Sequence, residues 1–268
     1  MVKVLWVVLL ALSFLSAQAD GDLTSLQRTI SGKQRSAEHK ARDKYRHPQQ
    51  TLEFFDVKEN MTVIEIWPGE GWYTEILAPY LKDKGKLYGA HFSAAAKEPY
   101  YKKVLEAFIK KMHKKPKVYD QVELTVLQPP ESFQIAPDGS ADRVLTFRNV
   151  HNWMKNDQAA AVFSAMYKAL KPGGILGVEE HRNSQLKPQD TRAESGYVSE
   201  DYVIALARKA GFEFLAKSEI NANNKDTKDY PAGVWTLPPA LKLKNKDREK
   251  YQAIGESDRM TIKFIKPK

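Results

Sequence analysis

Thr62-Val63-Ile64-Glu65-Ile66-Trp67-Pro68-Gly69-Glu70-Gly71 decides how this chain folds. Val63 to Trp67 is rich in β-branched and aromatic side chains and runs into proline and glycine, which predicts a strand followed by a turn. Tyr73, Ile76, Leu77, Tyr80 and Leu81 come next at i, i+3, i+4, i+7 and i+8, the spacing that lines one face of a helix. Pro79 is expected to kink or shorten that helix. Trp67 precedes a proline and is expected to be extended, carrying the strand one residue further before the chain turns.

The same alternation continues outward. Strands are predicted at Lys86–His91, Val122–Leu127, Arg143–Phe147, Ile175–Glu179, Phe212–Ser218 and Met260–Ile265. Between them lie a basic amphipathic helix near residues 100–112 and a helix whose apolar face is Ala159, Val162, Phe163, Met166, Tyr167 and Leu170. Asn156 or Asp157 is expected to cap the second of these, and Lys171-Pro172-Gly173-Gly174 to end it. Ser199 is expected to cap a further helix, with Glu200 and Asp201 at its positive end. Strand and helix in alternation require parallel strands joined by crossover helices, hence a doubly wound α/β sheet covered on both faces.

Three segments stand apart. Residues 1–19 carry one charge, Lys3, then an apolar run from Val4 to Leu12 and the small residues Ser16-Ala17-Gln18-Ala19. That is the pattern of a cleaved leader, too short to span about 30 Å of hydrocarbon, and it implies an exported protein, periplasmic or secreted, with no membrane span after cleavage. Residues 20–50 are polar, with a helix expected near residues 36–45 and stopped by Pro48. Residues 221–257 hold Pro231, Gly233, Pro238 and Pro239, then a Lys-rich helical stretch, and read as a covering insertion or lid.

The net charge is +9, with basic clusters at residues 28–47 and 110–117. Glu38 and Asp43 interrupt the first cluster, so a solvated surface is the reading and nucleic acid is not an expected partner. With no cysteine in the chain there is no disulfide and no thiolate metal site.

Ligands of an open parallel sheet bind beyond the carboxyl ends of its strands. Gly69 and Gly71 let backbone approach a ligand closely, although a glycine pair also serves an ordinary tight turn. Arg148, Asn149, His151, Asn152 and Trp153 follow the fourth strand, and Glu179, Glu180, His181 and Arg182 follow the fifth. Histidine titrates in the range a general base needs, which makes His151 and His181, with Glu180, the candidate catalytic groups. The alternative for a lone histidine is a loop hydrogen bond. His151, His181 and Glu180 could also ligate a metal, but they lack a ligand spacing such as H-x-x-x-H, so no metal site is expected.

The strand and loop from Thr62 to Gly71, the stretch Ala141–His151 and the phrase Ala169-Leu170-Lys171-Pro172-Gly173-Gly174-Ile175-Leu176 resemble, in that order, motifs of class I S-adenosylmethionine-dependent methyltransferases. W-P-G-x-G-W-Y-T-E-I-L-A-P-Y-L, G-V-W-T-L-P-P and E-S-D-R-M-T resemble a subgroup of predicted bacterial methyltransferases with signal peptides. The resemblance implies a Rossmann-like seven-stranded sheet over residues 51–268, mostly parallel with an antiparallel last strand, and a methyltransferase acting on a small molecule. It also implies S-adenosylmethionine as cofactor, held around Glu65, Trp67, Gly69, Gly71, His91, Gln128, Arg148 and Asn149. Trp67 replaces the family's first loop glycine, His91 stands where an acid usually holds the ribose, and Gln128 stands near where an acid often meets the adenine. Two alternatives stand beside this function: a non-catalytic binding protein on the same fold, and an enzyme of another class using the same pocket.

Overall fold

A computed structural model describes residues 23–268. The expected leader at residues 1–19 lies outside them. Four short helices come first: α1 (Ser25–Ser31), α2 (Ala37–Lys40), α3 (Asp43–Arg46) and α4 (Pro48–Phe54). Then follow β1 (Thr62–Ile66), α5 (Thr74–Leu81), β2 (Lys86–His91), α6 (Pro99–Lys114), α7 (Pro116–Tyr119) and β3 (Val122–Val126). The second half holds β4 (Ala141–Phe147), α8 (Val150–Lys155), α9 (Ala159–Ala169), β5 (Leu170–His181), α10 (Glu200–Lys209), β6 (Glu213–Ser218), α11 (Arg248–Ile254) and β7 (Arg259–Ile265).

The seven strands form one sheet in the order β3-β2-β1-β4-β5-β7-β6. β1 to β5 are parallel, and β7 runs antiparallel to both β5 and β6. This is the Rossmann-like methyltransferase fold. The strand order reverses direction between β1 and β4, so the crevice at their carboxyl ends is the place for a ligand.

Successive strand residues point to opposite faces, and both faces are covered. Ile64, Val144, Leu176 and Ile262 pack with Val162, Phe163 and Met166 of α9. Val63, Leu87 and Leu145 pack with Ile76, Leu77 and Leu81 of α5, with Leu26 of α1 and with Leu52 and Phe55 at α4. Through Leu26 the polar beginning of the chain contributes to this second core. Phe55 lies so close to β5 that a methyl group at Gly177 would fall 2.7 Å from its ring.

Several local expectations are corrected. Pro48 does not merely stop a helix: His47 turns left-handed (φ 40°) and Pro48 opens α4, where its missing N–H is no loss. Pro79 sits inside α5 without ending it. Its missing N–H would free the Glu75 carbonyl, and the Gln34 side chain donates to that carbonyl at 3.1 Å. Neither Asn156 nor Asp157 caps α9, which starts after Gln158 without a side-chain cap. Ser199 caps α10 as expected, accepting from the Tyr202 N–H. β5 begins at Leu170, earlier than Ile175, with a register shift against β4 between Ala141 and Arg143.

Gly177→Ala should lower stability by about 1–3 kcal/mol through overpacking against Phe55 and Leu145. In thermal unfolding that is a fall of roughly 2–4 °C for each kcal/mol. An unchanged melting temperature would show that the N-terminal stretch is not docked on the sheet as described.

Candidate functional site

The chain leaves β1 through a turn that the sequence did not foretell. Trp67 is left-handed (φ 44°), not extended. Arg148, the first residue past β4, is left-handed as well (φ 60°). Two non-glycine residues are thus held in a sparsely populated conformation at the ends of the two central strands, a strain of order 1–3 kcal/mol each. Tertiary bonds hold them there. The Trp67 N–H donates to the Ala90 carbonyl at 2.8 Å and its indole Nε1 donates to the Leu127 carbonyl at 2.8 Å. The Arg148 N–H donates to the Glu179 carbonyl at 2.7 Å. Asn149 Nδ2 donates to the Ile66 carbonyl at 2.9 Å and so ties the two strand ends together.

Trp67 divides the edge of the sheet. Its ring packs among Phe92, Tyr101 and Trp153, with centroids 4.7, 5.9 and 5.7 Å away. On one side lies a cavity of about 420 Å³ bounded by the loops after β2 and β3, including Ser93 and Gln128. On the other lies a cavity of about 580 Å³ bounded by Gly69, Arg148, Asn149, His151, His181, Trp235 and the N-terminal residues His39, Arg42 and Arg46. A wider cavity of about 750 Å³, against α9 and residues 133–138, is lined by no histidine and no arginine and by none of the residues at the carboxyl ends of β1 and β4.

The larger of the two edge cavities brings the histidine candidates together. Glu180 is fully buried and accepts the backbone N–H of His151 at 3.2 Å and of His181 at 2.8 Å. The His151 Nδ1 lies 3.0 Å from the same carboxylate. With Glu180 accepting, that Nδ1 carries the proton, and Nε2 presents its lone pair. The His181 Nδ1 sits 2.5 Å from Ser257 Oγ, and the two imidazole rings are 5.4 Å apart. Burial pushes the His181 pKa well below the usual histidine range, and the positive charges of Arg148, Arg259 and Arg46, joined by His151 whenever that ring is protonated, add to the shift, so His181 is neutral at pH 7. Ligand atoms of His151, Glu180 and His181 lie within 4.8 Å of one another, a closeness their sequence spacing did not suggest.

The residues implied as cofactor contacts divide into two groups. Gly69, Arg148 and Asn149 line the larger cavity, Gln128 the smaller, and Trp67 both. Gly69 is left-handed (φ 61°) and open: a β-carbon there would meet nothing within 4 Å, although the backbone conformation disfavours any side chain. Glu65, His91 and Gly71 line neither. Glu65 is buried and accepts the Thr74 hydroxyl at 2.6 Å, and desolvation raises its pKa to about 7. The His91 Nε2 lies 3.0 Å from the Gly69 carbonyl and its Nδ1 accepts the Phe92 N–H at 2.7 Å. Burial lowers its pKa to about 4, so it is neutral with both nitrogens engaged. Gly71 faces Phe108, which would be 3.0 Å from a side-chain carbon.

Sequence reading named Arg148 and Glu179 past the strand ends but missed the partners that complete the floor of this cavity, Arg42, Arg46, Glu256 and Arg259. Glu179 accepts from Arg148 at 2.6 Å and Arg259 at 3.1 Å. Glu256 accepts from Arg42 at 2.6 Å, Arg46 at 3.2 Å and Arg259 at 3.4 Å. Arg46 stacks on Trp72 at 4.6 Å. Arg42 and Arg46 belong to the stretch read as a solvated basic surface, and nothing in its spacing distinguishes them. Asp43, which interrupts that stretch, pairs with buried Arg35 at 2.6 Å.

No protein-family model matches the chain, and no curated protein does. Solved structures do. An S-adenosylmethionine-dependent methyltransferase from Aquifex aeolicus is 18% identical, with a TM-score of 0.55 over 84% of this chain and 93% of its own. The 4+2 cyclase SpnF is 16% identical, with a TM-score of 0.59 over 88% of this chain and 86% of its own. A sarcosine dimethylglycine methyltransferase, described as putative, from Galdieria sulphuraria is 13% identical, with a TM-score of 0.55 over 86% and 88%. At such identities the likeness establishes the fold.

The three arginines around Glu256 outweigh its burial and lower its pKa from 4.5 to about 2. A carboxylate with a depressed folded-state pKa adds stability that is complete above the unfolded value and is lost as pH falls toward the folded one. That window runs from about pH 4.5 down to about 2 and corresponds to roughly 3 kcal/mol. Glu256→Gln should be less stable than the parent at pH 7, and the difference should shrink across this window in pH-dependent melting. A constant difference would mean that Glu256 is not charged in the folded protein.

Proposed function

We propose that the protein is an S-adenosylmethionine-dependent methyltransferase acting on a small molecule at the cavity between the glycine loop and His151. One observation carries the reading. The carboxyl edge of β1 and β4 holds an open glycine at one wall of a cavity of about 580 Å³ and an oriented imidazole at another. The fold shared with known methyltransferases supports it.

The residues present fit the donor at several points. Gly69 leaves room for close backbone approach. Asn149 and Arg148 offer polar atoms on the same side, and Gln128 lines the cavity on the far side of Trp67. The ribose would be held without the acid that the resemblance implies, since His91 is engaged with Gly69 and Phe92. A hydrogen bond to a charged group contributes about 1.5–3 kcal/mol, so affinity should be roughly ten- to a hundredfold below that of a site with the carboxylate. When bound, the donor supplies an electrophilic methyl group.

The chain's own part is to orient the acceptor and take its proton. His151 presents Nε2 to the cavity, and Glu180 holds the ring through Nδ1 and stabilises the imidazolium formed when a hydroxyl or amine gives up its proton. Neutral His181 is a second acceptor beside it. Trp235, whose ring centroid is 5.9 Å from that of His151, closes the cavity from residues 221–257, in keeping with a covering role for that insertion.

Melting the protein with S-adenosylmethionine or S-adenosylhomocysteine tests the reading. Ligand at a hundred times its Kd adds about 2.7 kcal/mol, and for a domain of this size the shift should be roughly 5–10 °C. Gly69→Phe, which fills the open wall, should abolish it. No shift at millimolar ligand would sink the proposal, and a shift that survives Gly69→Phe would place the donor elsewhere.

A further inference from the structure

Four guanidinium groups and two carboxylates meet under the edge cavity: Arg42, Arg46, Arg148 and Arg259 around Glu179 and Glu256. The excess is two positive charges. Counting Glu180 as ionised, with neutral histidines, still leaves one. Glu70 and Lys103 on the cavity wall balance each other. Such an excess is unusual in a buried setting, because burying a charge is unfavourable unless it is paired.

The residues that carry the unmatched donors line the cavity. Arg46 is 4% exposed, lines the cavity and, among the described residues, its side chain hydrogen-bonds only through Nε. Arg42 bonds Glu256 through Nε, while its Nη2 is buried with no partner. Arg148 donates its side chain to Glu179 through Nη1 only. Stacking of Arg46 on Trp72 fixes the plane of its guanidinium and leaves its edge free for bonding. Burial first, and then the neighbouring arginines, hold Arg46 well below the usual guanidinium range.

The geometry points to a site for an anionic group, a carboxylate or phosphate, between Arg42, Arg46 and Arg148. This rests on the methyltransferase reading insofar as it makes the acceptor an anion, whose anionic end is anchored by the arginines while its reacting atom reaches His151 or His181. Planar oxyanions match paired guanidinium N–H groups, which is why arginine suits them. The site itself requires no donor.

Inorganic phosphate and succinate serve as probes, with sodium chloride at matched ionic strength as the reference. Either anion at about 10 mM should raise the melting temperature above the reference. In titration calorimetry Arg42→Gln, whose side chain is partly exposed, should weaken binding at least about tenfold, a loss of one charged hydrogen-bond partner. Lys250→Gln, on exposed α11, should change nothing. Phosphate binding without succinate binding would assign the site to phosphoryl groups, and the reverse to carboxylates. No gain over sodium chloride, or a gain unaltered by Arg42→Gln, would overturn the inference. Competition between either anion and S-adenosylhomocysteine would also overturn it, because the arginines would then serve the donor's own carboxylate. If anions bind and the donor does not, the anion site stands and the methyltransferase reading falls.

Discussion

Glu179 is the constraint on which this edge of the molecule depends. It is fully buried at the end of β5 and held ionised by Arg148 and Arg259, which outweigh its desolvation. Arg148 comes from the end of β4 and Arg259 from the start of β7. Through Arg259 the bonding reaches Glu256, and through Glu256 it reaches Arg42 and Arg46 of the N-terminal stretch. A single ionic network thus joins segments more than 200 residues apart in sequence. Breaking a buried pair by removing one partner typically costs 3–5 kcal/mol, whereas an intact pair adds little. The network therefore does more to fix the relative positions of these segments than to stabilise the chain.

The strand β1, the helix after it and the five other strands of regular length were legible in the sequence because they depend on local periodicity. So was the Ser199 cap, whose signal lies within a few residues. What was not legible depended on distant partners. Pro79 persists within α5 because Gln34, 41 residues from Glu75, takes up the freed carbonyl. Trp67 turns left-handed because Ala90 and Leu127 hold both of its N–H groups. Arg46 reads as surface in a basic run and is buried against Trp72 and Glu256. The histidines and Glu180 were legible as residues past strand ends, but the bond by which Glu180 orients His151 became visible only when β4 and β5 were placed side by side.

Trp67 sets the shape of the site. It occupies the turn where the resemblance implies a glycine, and its ring separates the cavity beside Gln128 from the cavity beside His151. A ligand reaching across the edge of β1 must pass this ring or displace it. The similarity of this fold to both a methyltransferase and a cyclase shows that the frame admits more than one chemistry. The groups around Trp67 and His151, not the sheet, select among them.

Hydrogen exchange with saturating S-adenosylhomocysteine examines the location of the ligand site most directly. Slowed exchange is expected in peptides covering residues 67–72, 148–153 and 233–240, which surround the cavity of about 580 Å³. Protection confined to residues 133–138 and 161–169, around the wider cavity, would contradict the account. So would exchange that the ligand leaves unchanged throughout.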